Sequence, residues 1–258
     1  MSKTLILDIE TAPTSAYVWG LWKQNVGLNQ IIQTGYILNW SAKWLDSDYL
    51  YTDSLHYHDL WKTDPTNDEI IVQNIRDLLD EADFVVTHNG DKFDIPTIRG
   101  RMAVHGIKPF SPVISIDTLK IAKRQFRLPS NKLNYIAQAL GLGSKIDTGG
   151  FELWSDIISK GCRKAFNKMV EYCENDVLLQ EEVYKALRAY DDTHPSLHIL
   201  DESAEIKCNA CGSTHVLKKG RRASKTRTYQ RYVCGDCGHN MRSRKSIPKS
   251  TDHLLRST

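Results

Sequence analysis

The chain has 258 residues, 41% hydrophobic and 25% charged, which is enough to bury one medium core and a small second one. No apolar run reaches the length of a membrane span, which excludes a membrane-spanning helix, and the N-terminal stretch MSKTLILDIE has no signal-peptide core, so a cytoplasmic protein is expected. The net charge of +3 excludes a uniformly basic or acidic chain, but it hides an asymmetry: residues 203–258 carry 13 Lys+Arg against 3 Asp+Glu, a balance of +10, and the rest of the chain balances at −7. In chain order, residues 3–7 form a short apolar run that predicts a buried strand. Residues 34–43 and 49–56 predict two more strands, giving an antiparallel meander. Pro65 and Thr66 open a helix to about Leu79, with Ile70, Ile71, Ile75, Leu78 and Leu79 as its apolar face. A strand at 83–87 precedes a helix at 96–105. Residues 115–126 and 132–140 predict two further helices, the second ended by Gly141 and Gly143. A long amphipathic helix runs from about Cys162 to Tyr190, and residues 191–202 read as a linker.

Three of these segments carry acids that chemistry can use. Asp8 and Glu10 leave the first strand at i and i+2, on one face. Such a pair raises its own pKa values unless a cation lies between them. Asp94 stands in HNGDKFD, where Phe93 calls for burial and Asp94 for a charged partner. Tyr172 and Asp176 are i and i+4 on one face of the last long helix. Four carboxylates of this kind suit hard divalent cations, and two such ions can clamp both oxygens of an in-line phosphoryl displacement.

These segments resemble the three exonuclease motifs of the DEDD 3′–5′ exonucleases, which are ribonuclease H-like. Asp8 and Glu10 match the first motif, Asp94 the second, and Tyr172 with Asp176 the third. The residue four before the last Asp is Tyr172 and the one five before is Glu171, so the chain is similar to the tyrosine (DEDDy) branch, that of the exonuclease domains of family-B DNA polymerases. The resemblance covers roughly residues 3–189 and implies an α/β fold, with a ribonuclease H-like mixed sheet flanked by helices. It implies two Mg2+ or Mn2+ ions on Asp8, Glu10, Asp94 and Asp176, with Asp8 bridging. Tyr172 would align the attacking water, and the products would be nucleoside 5′-monophosphates. Single-stranded DNA is the favoured partner, with RNA open.

Cys208-Asn-Ala-Cys211 and Cys234-Gly-Asp-Cys237 predict a small C-terminal zinc ribbon with one structural Zn2+ held by four thiolates. Gly212 and Gly238 suit the tight backbone after each knuckle, and His215 and His239 are expected to be bystanders. The expected organisation is a nuclease domain at 1–190, the linker, the ribbon at 203–245 and a basic flexible tail at 246–258. Between the knuckles, Lys218, Lys219, Arg221, Arg222, Lys225, Arg227 and Arg231 interleave with Tyr229 and Tyr232. All but Tyr232, which we expect to pack the ribbon core, are expected to contact nucleic acid. Asn89 either forms the turn, or positions Asp94 or contacts the terminal nucleotide. Trp19 and Trp22, in the aromatic stretch 17–22, either stack on terminal bases or pack over the core. Asp117 reads as a carboxylate at a helix N-terminus, with a supporting role near the site as the alternative. Two other functions fit the same residues. One is a structure-specific ribonuclease H-like endonuclease. The other is a non-catalytic zinc-ribbon protein that binds nucleic acid.

Overall fold

Strand β1 (Thr4–Thr11) has no polar face to offer water: Leu5, Ile6 and Leu7 are all fully buried. A strand apolar on both faces belongs in the middle of a covered sheet, and there it lies. The computed structural model describes residues 2–203 and 205–248, which group into two compact units. The first comprises Lys3–Leu119 and Ser130–Val183; the second comprises Ser2, Lys120–Pro129 and the described residues from Tyr184.

The first unit is built on a five-stranded mixed sheet. Besides β1 it contains β4 (Ile37–Trp44), β5 (Leu50–Ser54), β6 (Phe84–Thr87) and β7 (Ile114–Asp117), in the order β5-β4-β1-β6-β7. The β1–β4 and β4–β5 pairs are antiparallel, the expected meander; β1–β6 and β6–β7 are parallel. A short ribbon of β2 (Ser15–Ala16) and β3 (Ile31–Gln33) interrupts the meander. Helices α1 (Glu69–Glu81), α2 (Asp94–Val104), α4 (Leu133–Ala139) and α5 (Glu152–Lys160) accompany the sheet; α3 (Thr118–Gln125) belongs to the second unit from Lys120, and the long α6 (Arg163–Leu187) to the first as far as Val183. One core joins Leu5, Leu7, Ile37 and Trp40 of the sheet to Ile71, Ile75 and Leu79 of α1 and to Phe166 of α6. This is the mixed α/β sheet that a ribonuclease H-like fold requires.

Local sequence misleads in three places. The expected helix from Ser115 begins at Thr118, because residues 114–117 pair with β6 in register Thr87↔Asp117. A four-residue strand is too short for its period to separate it from a helical turn. Helix α1 starts after Asp68, not at Thr66, and the Asp68 carboxylate is spent on the Ile37 N–H, Arg101 and His105. Helix α5 was not expected; it ends on Gly161, which takes the left-handed conformation (φ 59°).

In the second unit, β8 (Val216–Ala223), β9 (Thr228–Cys234) and β10 (Asn240–Arg242) form an antiparallel sheet in the order β10-β9-β8. Its small core is Cys208, Ala210 and Cys234, with Val216 and Met241 against it. Within this unit Arg124 pairs with Asp191, Gln125 donates to Asp192, and Phe126 meets Tyr190 edge-on. Residues 249–258 of the expected tail lie outside the described residues. Among the described residues no helix is long and apolar enough to cross a membrane.

Candidate active site and metal centres

The acids expected to act together come from three elements of the first unit. β1 contributes Asp8 and Glu10, the start of α2 contributes Asp94, and α6 contributes Tyr172 and Asp176. Carboxylate oxygens of Asp8, Glu10 and Asp176 lie within 4.8 Å of one another. Asp94 falls outside that trio, but it couples to Asp8 electrostatically and hydrogen-bonds the Ile9 backbone N–H.

The turn that delivers Asp94 is built from strained and tight positions. Asn89 has φ 76°, and its carbonyl accepts the N–H groups of Lys92 and Phe93, so it is a turn former here. Its own N–H donates to Asp117 Oδ1 (2.9 Å). The same oxygen takes the Leu119 N–H (3.0 Å), which caps α3. Asp117 therefore meets the N-terminus of α3, as expected, and also braces the turn through Asn89. Gly90 packs so closely on buried Thr87 that a Cβ would come 2.2 Å from Thr87 Oγ1. Phe93 departs from expectation: it is 42% exposed, because the turn directs Asp94 inward and Phe93 outward.

Electrostatically the site is overloaded with negative charge. Burial, then Asp94, Glu10 and Asp176, hold the Asp8 carboxyl well above the usual range. Burial, reinforced by Asp176, pushes Glu10 up to about 8, and burial brings Asp94 to about 7. Oδ1 of Asp94 and Oδ1 of Asp176 are buried without a hydrogen-bond donor. Orphaned acceptors among mutually repelling acids are what a hard cation would satisfy.

A residue that sequence reasoning missed partly answers this charge. Lys145 sits in GLGSKID, after Gly143 (φ 121°), with its N–H on Asn134 Oδ1. Its ammonium donates to Tyr172 Oη (2.9 Å) and pairs with Asp176 Oδ2. Burial works against that charge, but Asp176 outweighs it and holds the lysine above its ordinary pKa. Burial also raises Tyr172 to about 12, so the phenol keeps its proton. Cys173, beside Asp8, is a buried thiol whose pKa burial pushes far up, which removes it as a nucleophile.

In the second unit the four expected cysteines converge, all within 4.8 Å. Cys208–Cys237 and Cys211–Cys234 Sγ separations are both 3.6 Å. A tetrahedron with Zn–S of about 2.3 Å has edges of about 3.8 Å, so the set fits one zinc ion. Backbone N–H groups of Ala210 and Cys211 point at the Cys208 sulfur, and those of Asp236 and Cys237 at Cys234. Gly212 and Gly238 are left-handed (φ 80° and 77°), as the knuckles require. The histidines are engaged elsewhere, His215 with Asp236 and His239 with the Ala189 carbonyl.

The expected nucleic-acid residues scatter. Arg222 is opposite Tyr229 in the sheet, whereas Lys218 and Arg221 face the other side, opposite Tyr232 and Gln230. Lys219 lies at the β8 irregularity, and Lys225 and Arg227 in the β8–β9 turn. Arg231 is held by Asn240 Oδ1 (2.6 Å), and one face of the Tyr229 ring is covered by Arg242 (3.9 Å). Trp19 and Trp22 are 99% and 82% exposed, so they do not pack over the core.

Residues 42–188 match the RNase_H superfamily model, a span that includes Asp94, Lys145, Tyr172 and Asp176. The chain belongs to the RNase_H superfamily. Asp8 and Glu10 lie ahead of the matched span, on the strand that the sheet places at its centre. This RNase_H superfamily chain is also similar in fold to the family B DNA polymerase from the hyperthermophilic archaeon Pyrobaculum calidifontis, with a TM-score of 0.50 and 14% identity. The likeness covers 74% of this chain and 26% of the polymerase, so the chain spans about a quarter of that protein's length. No curated protein matches the chain.

Proposed function

We propose that this RNase_H superfamily chain is a metal-dependent 3′–5′ exonuclease of the DEDDy type, acting on single-stranded 3′ ends, with DNA favoured. The observation that carries the reading is the convergence of Asp8, Glu10 and Asp176, with buried Asp94 coupled to Asp8, beside the Tyr172 hydroxyl. Membership in the superfamily supports a nuclease that acts on nucleic acid. Asp8, Glu10, Asp94 and Asp176 would hold two Mg2+ or Mn2+ ions, which supply charge for the phosphoryl displacement. Tyr172 stays a phenol at neutral pH, so it acts by orienting the attacking water, not by removing a proton. Lys145 donates to Tyr172 Oη and the phenol in turn hydrogen-bonds Asp176, which fixes the hydroxyl beside the acids. Cys208, Cys211, Cys234 and Cys237 would hold one structural Zn2+, and the basic ribbon would help to retain the strand.

The test is a 5′-labelled DNA or RNA oligomer with Mg2+, Mn2+ or neither, beside Asp8→Ala. A metal-dependent ladder shortening from the 3′ end, with mononucleotide products, is expected from the wild type and not from the variant. Tyr172→Phe should lower the rate and leave metal affinity unchanged. Oligomeric products would assign an endonuclease, and binding without turnover a zinc-ribbon binding protein.

A further inference from the structure

The ribbon sheet has two chemically different faces. Directly paired residues point to the same side, as do i and i+2 on one strand. Arg222 pairs with Tyr229, Arg231 pairs with Arg242, and Tyr229 and Arg231 are two apart. These four therefore share one face. The other face carries Met241, which packs on the cysteine knuckles, together with exposed Lys218 and Arg221.

Along β10 runs a cleft of about 550 Å3, lined in part by Arg222, Arg242 and Arg244. Among the described residues none of these three guanidinium groups has a carboxylate partner. Arg231, by contrast, is tied to Asn240, and the one carboxylate lining the cleft, Asp192, is met by Arg124 (3.5 Å) and Gln125 (2.8 Å). The cleft is thus positive and uncompensated. Arg242 Cζ lies over the Tyr229 ring, 3.9 Å from its centre, which restrains the guanidinium before any ligand arrives. A planar, preset guanidinium binds a phosphate through two hydrogen bonds at little entropic cost. The volume exceeds that of a lone phosphate.

We propose that this cleft is a phosphodiester subsite in which Arg222, Arg242 and Arg244 seat the backbone of a single nucleic-acid strand. The choice of nucleic acid rests on the function proposed above. The subsite differs from the basic β8–β9 turn and from the face bearing Lys218, which would then act only as diffuse charge.

The experiment uses the full chain carrying Asp8→Ala, in Mg2+-free, zinc-replete buffer. Binding of a labelled oligo-dT 12-mer is followed by anisotropy over a series of salt concentrations. Arg222→Gln/Arg242→Gln should flatten the slope of log K against log salt by about 1.4, at about 0.7 per single-strand phosphate contact. Affinity at 0.1 M salt should fall about tenfold or more. Arg244→Gln, outside the sheet, should flatten the slope by about half as much. The Lys218→Gln/Lys219→Gln control should do less than either. Zinc content checks that each ribbon is folded, and if the double variant loses zinc, Arg244→Gln decides. An unchanged slope, an equal loss in the lysine control, or equal competition by polyglutamate of matched charge overturns the proposal. Failure of the exonuclease reading appears separately, as a wild type that does not shorten the strand.

Discussion

Lys145 shows how one side chain can stabilise a site built to be unstable. Four acids crowd together, Asp94 and Asp176 buried and Asp8 and Glu10 half-buried, and desolvation raises all four. The lysine ammonium lowers every one of them. Removing one partner of a buried pair leaves an uncompensated charge, a cost of about 3–5 kcal/mol when fully buried. Lys145 keeps 28% of its side chain exposed, so a discounted figure of about 2 kcal/mol is appropriate for Lys145→Ala. Divalent cations should do the same electrostatic work. The variant should therefore melt well below the wild type without Mg2+, and most of that gap should close in saturating Mg2+. A gap of equal size in both buffers would mean that Lys145 supports packing and not charge. Asp8, Glu10, Tyr172 and Asp176 were legible in the sequence because each sits at a period set by its own strand or helix, and Asp94 because HNGDKFD resembles the second exonuclease motif. Lys145 was not: it lies in an irregular glycine-containing loop, where no period indicates direction.

Among the elements, the β6–α2 connection makes the strictest demand on sequence. Asp94 reaches the acids of β1 only because the chain turns sharply through left-handed Asn89 and tightly packed Gly90. Thr87, against which Gly90 lies, is fully buried and has no room to give way. A methyl group 2.2 Å from a hydroxyl oxygen cannot be accommodated without moving backbone. Gly90→Ala should destabilise the first unit by about 1–3 kcal/mol, a typical cost of overpacking, and should displace Asp94. The prediction is a large loss of turnover, on the order of a hundredfold, that saturating Mg2+ does not restore. Wild-type turnover in a folded Gly90→Ala protein would show that the turn does not position the site. The turn was legible from its Asn-Gly pair. β7 and α5 were not, since β7 owes its conformation to pairing with β6 and α5 joins the core through Leu153 and Ile157 alone of its buried residues.

At the scale of the whole molecule, charge segregation was plain in the sequence, but unit membership was not. Residues 120–129 cluster with the chain from Tyr184 onward, through contacts such as Arg124–Asp191 that no local pattern announces. That unit contains a titratable group placed to report its integrity. His194 is 7% exposed; its Nδ1 donates to the Pro195 carbonyl and its Nε2 accepts from Tyr184 Oη (3.0 Å). The neutral imidazole is thus fully satisfied, and burial pulls its pKa down from 6.5 to about 4. Between those values the unfolded chain binds the proton more readily than the folded one does. The stabilisation is therefore complete above pH 6.5 and is lost progressively as pH falls through about 4. Its ceiling is on the order of 3 kcal/mol, at 1.36 kcal/mol per pKa unit. His194→Gln removes the titration, while zinc loss and carboxylate titration affect both proteins alike. The stability difference between wild type and His194→Gln, from urea midpoints, should be largest at pH 7 and shrink steadily toward pH 4. A difference that stayed constant over that range would show that His194 is protonated, or open to water, in the folded protein.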